Sequence, residues 1–213
     1  MPEAEVALRL AFYLLSLAQS KGTAVVAIDG AQVKVGDAEV FPIEGFLLAK
    51  GWQQVEQSGK NSWQGTYILD GKHLNVHSDS GSGDVVVPLE SGQVRAECKK
   101  GPLVKKKGSQ ERPLLNCAIG QLMTVRTVCD NDFLVAAVPK TDRFAALARE
   151  WQSRPLIERS GIRIVLVGRD GSADGIPSEW LMPCSERYQR FLELAGQIDY
   201  DPDYDYKAER RRR

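Results

Sequence analysis

The most constraining feature of this 213-residue sequence is a continuous apolar run at residues 133–138. A strand that is apolar at every position must be covered on both faces, as in the sheets of α/β proteins. Helical periodicity precedes the run at about 112–126 and follows it at about 142–151, where Thr141 can cap the helix. A second buried strand, 162–167, then indicates a parallel pair with a right-handed crossover. These patterns predict an α/β fold.

The preceding region adds further strands. Three strand-like segments, 73–77, 84–89 and 93–99, are separated by short turns and predict an antiparallel meander or a close variant. Two shorter β-branched segments, 24–28 and 32–35, flank an Asp-Gly pair and predict a hairpin. Together with the parallel pair, these segments indicate a mixed sheet flanked by helices.

The chain length and 43% hydrophobic content fit a single domain over residues 1–198. Residues 199–213 lack a hydrophobic period and are expected to form a flexible tail. The first helix, about 3–19, is apolar nearly all round, so we expect it to be buried; it is too short to span a bilayer. Its acidic start argues against a signal sequence, and the four cysteines have no clustered spacing, so the cytoplasm is the predicted location.

The overall charge offers no argument for a polyanionic partner, because 28 Lys and Arg residues balance 28 Asp and Glu residues. A nucleic-acid footprint would have to be a local patch. One basic loop provides such a patch with Lys99, Lys100, Lys105, Lys106 and Lys107. A solvated loop is the default interpretation, but its place beside the candidate site favours contact with a phosphate backbone.

The candidate chemistry lies on the predicted strand 93–99. Alternation places Arg95, Glu97 and Lys99 on one face, and Asp84 opens the preceding strand, so its carboxylate can approach Glu97. Paired carboxylates are hard ligands suited to Mg²⁺, which also binds substrate phosphate oxygens. Lys99 would orient a metal-bound water or stabilise the transition state. Arg95 could touch a phosphate or pair with Asp84.

An aspartate followed on the next strand by Glu-x-Lys resembles the PD-(D/E)XK nuclease superfamily, here as Asp84 followed by Glu97-Cys98-Lys99. The resemblance implies a restriction-endonuclease-like core (αβββαβ) with a central mixed sheet of four to five strands and residues 24–70 as an insertion. It implies that the two acids bind Mg²⁺ or Mn²⁺ and that the lysine is catalytic. The Cys98 carbonyl could supply a third metal ligand.

The sequence departs from the superfamily pattern at two positions. Gly83 stands where the name-giving proline would be. On the helix after the lysine, Gln121 matches a glutamine of some branches, but Val125 replaces the tyrosine that follows it there. Gln121 is a polar amide on an otherwise apolar helix face, where it would need a buried partner or a solvated site edge. The active site would supply such an edge, but the glutamine could equally be hydrogen-bonded in the core or simply lie near the helix edge.

Three functions are compatible with these observations. The first is a magnesium-dependent nuclease, a phosphodiester hydrolase acting on DNA, and the resemblance also allows a homodimer. The second is a nuclease-fold module that binds nucleic acid or protein with little or no catalysis. The third is a structural α/β domain whose acidic pair is incidental. The phosphate-loop and dinucleotide-binding motifs are absent from the sequence.

Overall fold

A computed structural model describes residues 1–29, 34–35, 38–79, 83–101, 110–129 and 131–181. The helices are α1 (Glu3–Ser16), α2 (Ile43–Ala49), α3 (Glu111–Met123), α4 (Asp142–Gln152) and α5 (Pro155–Ser160). The strands are β1 (Thr23–Ala27), β2 (Lys34–Val35), β3 (Ala38–Glu39), β4 (Gln53–Gln57), β5 (Gly65–Leu69), β6 (Lys72–His77), β7 (Val85–Leu89), β8 (Gly92–Cys98), β9 (Asp132–Pro139), β10 (Arg163–Val167) and β11 (Ala173–Asp174). The predicted tail 199–213 lies outside the described residues.

Nine strands form one mixed sheet in the order β11-β10-β9-β8-β7-β1-β6-β5-β4, and β2 pairs with β3 in a separate hairpin. The predicted α/β fold with a mixed, helix-flanked sheet is therefore confirmed. The predicted number of four to five strands is too low. The difference arises because segment 24–70, which was expected to be an insertion, contributes β4, β5 and most of β1 to the same sheet.

The predicted meander is correct in one pair and wrong in the other. Strands β7 and β8 form the expected antiparallel hairpin. Strand β6 does not pair with β7, because β1 lies between them, parallel to β6 and antiparallel to β7. The hairpin predicted for 24–28 and 32–35 is also wrong, since β2 pairs with β3 instead. Both errors share a cause: β1 takes its partners from distant parts of the chain, and local turn signals carry no information about them.

The C-terminal half of the sheet follows the prediction closely. Strands β8, β9 and β10 are mutually parallel neighbours. Every residue of β9 except the first is buried, which confirms that both faces of this strand are covered. Helix α4 begins after Thr141, whose side-chain oxygen accepts a hydrogen bond from the backbone N–H of Phe144 at 3.2 Å. Helix α3 corresponds to the helix predicted at 112–126.

Helices cover the two faces of the sheet, and the side chains of β8 alternate between these faces. Val94, Ala96 and Cys98 belong to the apolar core that includes α1. The residues that alternate with them, including Arg95 and Glu97, point toward the other face, where α3 and α4 pack on β9 and β10. No helix in the described part of the chain combines the length and apolar character needed to cross a membrane.

The two outermost strands of the sheet are irregular or short. Strand β4 forms one edge, and its pairing with β5 shifts register between Gln54 and Glu56. Strand β11 forms the other edge and has two residues. Neither edge of the described sheet is a long, regular strand.

Candidate active site

The candidate site lies at the open end of the β7–β8 hairpin. The strand register places Asp84 opposite Glu97, and the N–H of Asp84 donates to the Ala96 carbonyl at 2.8 Å. The Asp84 carboxylate accepts a hydrogen bond from the backbone N–H of Cys98, with an Oδ2–N distance of 2.7 Å. This bond holds the carboxylate against β8. The structure thus brings together the two acids that the sequence predicted to be neighbours.

Lys99 lies among the carboxylates and contacts one that was not predicted. Its Nζ is 3.8 Å from Asp84 Oδ2, 3.9 Å from Glu97 Oε2 and 3.5 Å from Glu3 Oε1. Glu97 and Lys99 are both buried, with exposed fractions of 8% and 7%. Charged groups are rarely this buried without partners, so the cluster needs its internal ion pairs.

Glu3 is the site residue that sequence reasoning missed. It lies in the first turn of α1, and its second carboxylate oxygen accepts a hydrogen bond from the N–H of Lys100 at 3.3 Å. An acidic residue in the first turn of a helix is normally explained by the helix dipole. Its presence therefore gave no specific signal, and only the tertiary contact between α1 and the end of β8 shows its role.

The electrostatics of the cluster disfavour full ionisation. Burial, with repulsion from Asp84, raises the pKa of Glu97 to about 7, against attraction to Lys99. Burial also raises the pKa of Asp84, although the Cys98 N–H opposes this. Burial alone would lower the pKa of Lys99, but the three surrounding carboxylates raise it overall. When all groups are ionised, three carboxylates face one ammonium, which leaves two negative charges uncompensated.

Two surface grooves meet at Glu97 and Gln121. The acidic groove has a volume of about 420 Å³ and is lined by Asp29, Ser78, Asp79, Asp84, Glu97 and Gln121, among others. The arginine groove has a volume of about 470 Å³ and is lined by Arg95, Glu97, Gln121, Thr124, Arg126 and Thr127, among others. Glu97 is therefore buried in the sheet but lines both grooves, whereas the half-buried Asp84 lines the acidic groove.

Gln121 and Arg95 are placed at these grooves. Gln121 is exposed where the grooves meet, and its Oε1 accepts a hydrogen bond from Cys117 Sγ at 3.5 Å. The interpretation of Gln121 as a core residue is therefore wrong, while a place at the edge of a site and an ordinary position near the helix edge both agree with its exposure. Arg95 Nε lies 3.2 Å from Asp132 Oδ2, so the expected alternative of an Arg95–Asp84 pair is wrong. The pairing with Asp132 arises because β9 is parallel to β8, with Gln93 aligned to Asp132.

The remaining predicted site residues are only partly defined. The Cys98 side chain is fully buried in the core under α1, and its carbonyl stays a predicted metal ligand. Lys100 is half-buried beside Glu3. Lys105, Lys106 and Lys107 lie outside the described residues.

Gly83 has a physical reason to replace the proline of the superfamily pattern. Its φ of +132° lies in a region that favours glycine, and a Cβ here would lie 3.0 Å from the Ala96 carbonyl oxygen. Proline fixes φ near about −65°, so it could not adopt this conformation. The glycine allows Asp84 to enter β7 close against β8.

The donor chemistry of the site suits a hard divalent cation, although the ligands are not arranged around one. Among the described residues, no group of three or more His, Cys, Asp or Glu side chains is positioned to hold a metal ion. The acids nevertheless offer the carboxylate oxygens that Mg²⁺ prefers. The Lys99 ammonium now lies between them, so a metal would have to take over its contacts with Asp84 and Glu97.

Comparisons with protein-family models, with curated proteins and with solved structures found no significant match. The relation to the PD-(D/E)XK superfamily stays a resemblance carried by the site residues.

Proposed function

We propose that the protein is a Mg²⁺-dependent nuclease that hydrolyses phosphodiester bonds in DNA, with Mn²⁺ able to replace Mg²⁺. The observation that carries the proposal is the cluster of Asp84, Glu97 and Lys99, in which Asp84 lines the acidic groove and Glu97 lines both grooves. The cluster has two more negative charges than positive ones when ionised, and a divalent cation would neutralise that excess. Burial is the main reason that the pKa of Glu97 is raised, and repulsion from Asp84 and Glu3 adds to it.

The element order gives further support to a nuclease-type core. Helix α1, strands β1, β7 and β8, helix α3 and strand β9 follow one another in the order αβββαβ, and the four strands are adjacent in the sheet. In this assignment the insertion is the segment between β1 and β7 rather than residues 24–70. The acids and the lysine then lie on the second and third strands of the core.

Each site residue has a distinct role in the proposed reaction. Asp84 and Glu97 would hold the metal, and Gln121 would contact substrate at the groove edge. A bound Mg²⁺ would supply Lewis acidity and lower the pKa of a water. If the two acids held a metal, Lys99 would keep its contact with Glu3, and its ammonium would be available to orient water or stabilise negative charge. Glu3 is thus a positioning residue.

One observation favours a second function, a nuclease-fold module that binds DNA or protein with weak or no catalysis. Lys99 already compensates part of the carboxylate charge, and it does so from within the cluster. A site whose negative charge is partly compensated in this way has less need of a metal. The two functions differ in whether Mg²⁺ displaces these contacts.

The deciding experiment is cleavage of single-stranded, duplex and branched DNA in Mg²⁺, Mn²⁺ or excess chelator. Wild type is compared with Glu97→Ala and Lys99→Ala, and circular dichroism confirms that all three are folded. We expect metal-dependent cutting that both variants lose. Calorimetric titration of Mg²⁺ into wild type and Asp84→Ala tests the ligand role directly. Absence of cutting by folded wild type on every substrate would favour the binding module.

A further inference from the structure

The arginine groove differs in charge from the acidic groove although the two share part of their lining. Glu97 and Gln121 line both grooves, so a ligand in one groove lies next to the other. Apart from Glu97, the charged residues of the arginine groove are Arg95 and Arg126. The acidic groove adds Asp29 and other acids. The sign of the charge therefore changes across Glu97.

Arg95 forms the partly buried floor of the arginine groove. Its side chain is 16% exposed, and its contact with Asp132 is an ion pair of 3.2 Å. Within the described part of the chain, Arg95 Nε has no hydrogen-bond partner. This nitrogen is itself buried and faces Asp132, so the groups that could contact an anion in the groove are the terminal N–H groups of the planar guanidinium fork.

Arg126 lies at the rim, in the segment that follows α3. It is exposed, and none of the ion pairs among the described residues involves it. Thr127 is also exposed beside it and offers a hydroxyl. A partly buried arginine and a rim arginine thus line one groove that also includes Glu97, one of the two proposed metal-binding acids.

We propose that the arginine groove binds, through Arg95 and Arg126, a phosphate of the nucleic-acid strand next to the phosphate that is cut, and that this contact needs no metal. The inference rests on the proposed function for the identity of the ligand. Without metal the acidic groove repels a polyanion, whereas the arginine groove attracts it. The planar arginine fork also matches phosphate oxygens in pairs. The strand therefore binds first at the arginine groove.

The test is binding of a fluorescently labelled single-stranded DNA oligonucleotide in excess chelator, measured by anisotropy at several salt concentrations. Arg126→Gln is compared with Arg159→Gln, which removes the same charge from an exposed position on α5. We expect Arg126→Gln to raise Kd about tenfold and to reduce the slope of log Kd against log salt by about 0.7. Arg159→Gln should bind as wild type does.

A second variant and a parallel assay make the outcome decisive. Arg95→Gln should weaken binding in the same direction, with urea unfolding as the check on its fold. Equal Kd values for wild type and Arg126→Gln, or no binding in chelator, would overturn the subsite. Mg²⁺-dependent cleavage with either result would leave the nuclease proposal intact. Binding that depends on Arg126 but is never followed by cleavage would support the subsite and overturn the nuclease.

Discussion

The two faces of the sheet are covered to very different extents. Helix α1 buries nine of its 14 residues against one face, whereas α3 buries three of its 13 against the other. On the first face the alternate residues of β8 lie in a closed apolar core. On the second face Arg95 and Glu97 stay reachable through the grooves beside α3. We therefore expect the closed face to contribute most of the stability and the open face to carry the proposed function.

The largest effect should come from the open face. We expect Asp84→Asn to reduce Mg²⁺-dependent cleavage on the order of 10³-fold, because a neutral amide is a poor ligand for a hard cation. The amide oxygen can still accept the hydrogen bond from the Cys98 N–H, so the fold should be retained. Steady-state kinetics and urea unfolding check the two halves of this prediction. Asp70→Asn, at the β5–β6 turn, is the matched control, and an equal loss in that variant would refute the role of Asp84.

The closed face should respond in stability instead. Leu10 in α1 is 0% exposed, and truncation to alanine leaves a cavity, so we expect Leu10→Ala to lower the free energy of unfolding by about 3 to 4 kcal/mol. Leu156→Ala removes the same atoms from a side chain that is 78% exposed, so the free energy of unfolding should change by less than about 0.5 kcal/mol. Cleavage per folded molecule should be unchanged in both. Similar unfolding curves for the two variants would contradict the assignment of stability to the closed face.

The pH dependence of stability should reveal the cost of ionising the buried Glu97 carboxyl on the open face. Because the pKa of Glu97 is about 7 when folded and ordinarily 4.5, the folded state retains a proton that the unfolded chain releases. The stabilisation that comes from this retained proton is full below pH 4.5 and is lost as the pH rises through 7. The free energy of unfolding should fall by about 2 to 3 kcal/mol over this range.

Urea unfolding in chelator between pH 4.5 and 8 measures this effect. Glu97→Gln has no such proton to lose, so its stability should exceed that of wild type increasingly as the pH rises. Parallel pH profiles for the two proteins would show that Glu97 ionises without penalty.

The smallest effect concerns a helix end on the open face. Thr141→Ala removes the cap of α4 and should cost about 1 kcal/mol, because the N–H of Phe144 loses its partner. Helix α4 should still form, since Phe144, Leu147 and Trp151 remain buried. Thr141→Ser keeps the oxygen and should recover most of the loss. Equal stability of the alanine and serine variants would contradict the capping role.

Local patterns were sufficient for the parts of the molecule that depend on neighbouring residues. Alternation along one strand places Glu97 and Lys99 on a common face, and a short turn brings Asp84 beside them. The contact between Lys99 and Glu3 spans 96 positions and has no local signal. The same holds for Asp132, which the parallel β9 brings to Arg95 and which therefore could not be predicted.

The position of β1 shows the same limit for the fold. Its sequence predicts a strand correctly. Nothing in residues 23–27, however, indicates that its two neighbours in the sheet are β6 and β7. The number of strands implied by the resemblance was too low because segment 24–70 joins the sheet, and within that segment β4 gave no strand signal, since its side chains are mostly exposed. Periodicity identifies buried strands far better than exposed edge strands.

The irregular outer strands have a consequence for how copies of this protein can associate. A bulged β4 and a two-residue β11 offer poor templates for a strand from another molecule, so the sheet does not readily extend into a fibril or a shared intermolecular sheet. A homodimer that cuts both strands of a duplex would have to assemble through helices or loops. Its two reaction centres could then be spaced by the length of DNA between the cuts rather than by strand pairing.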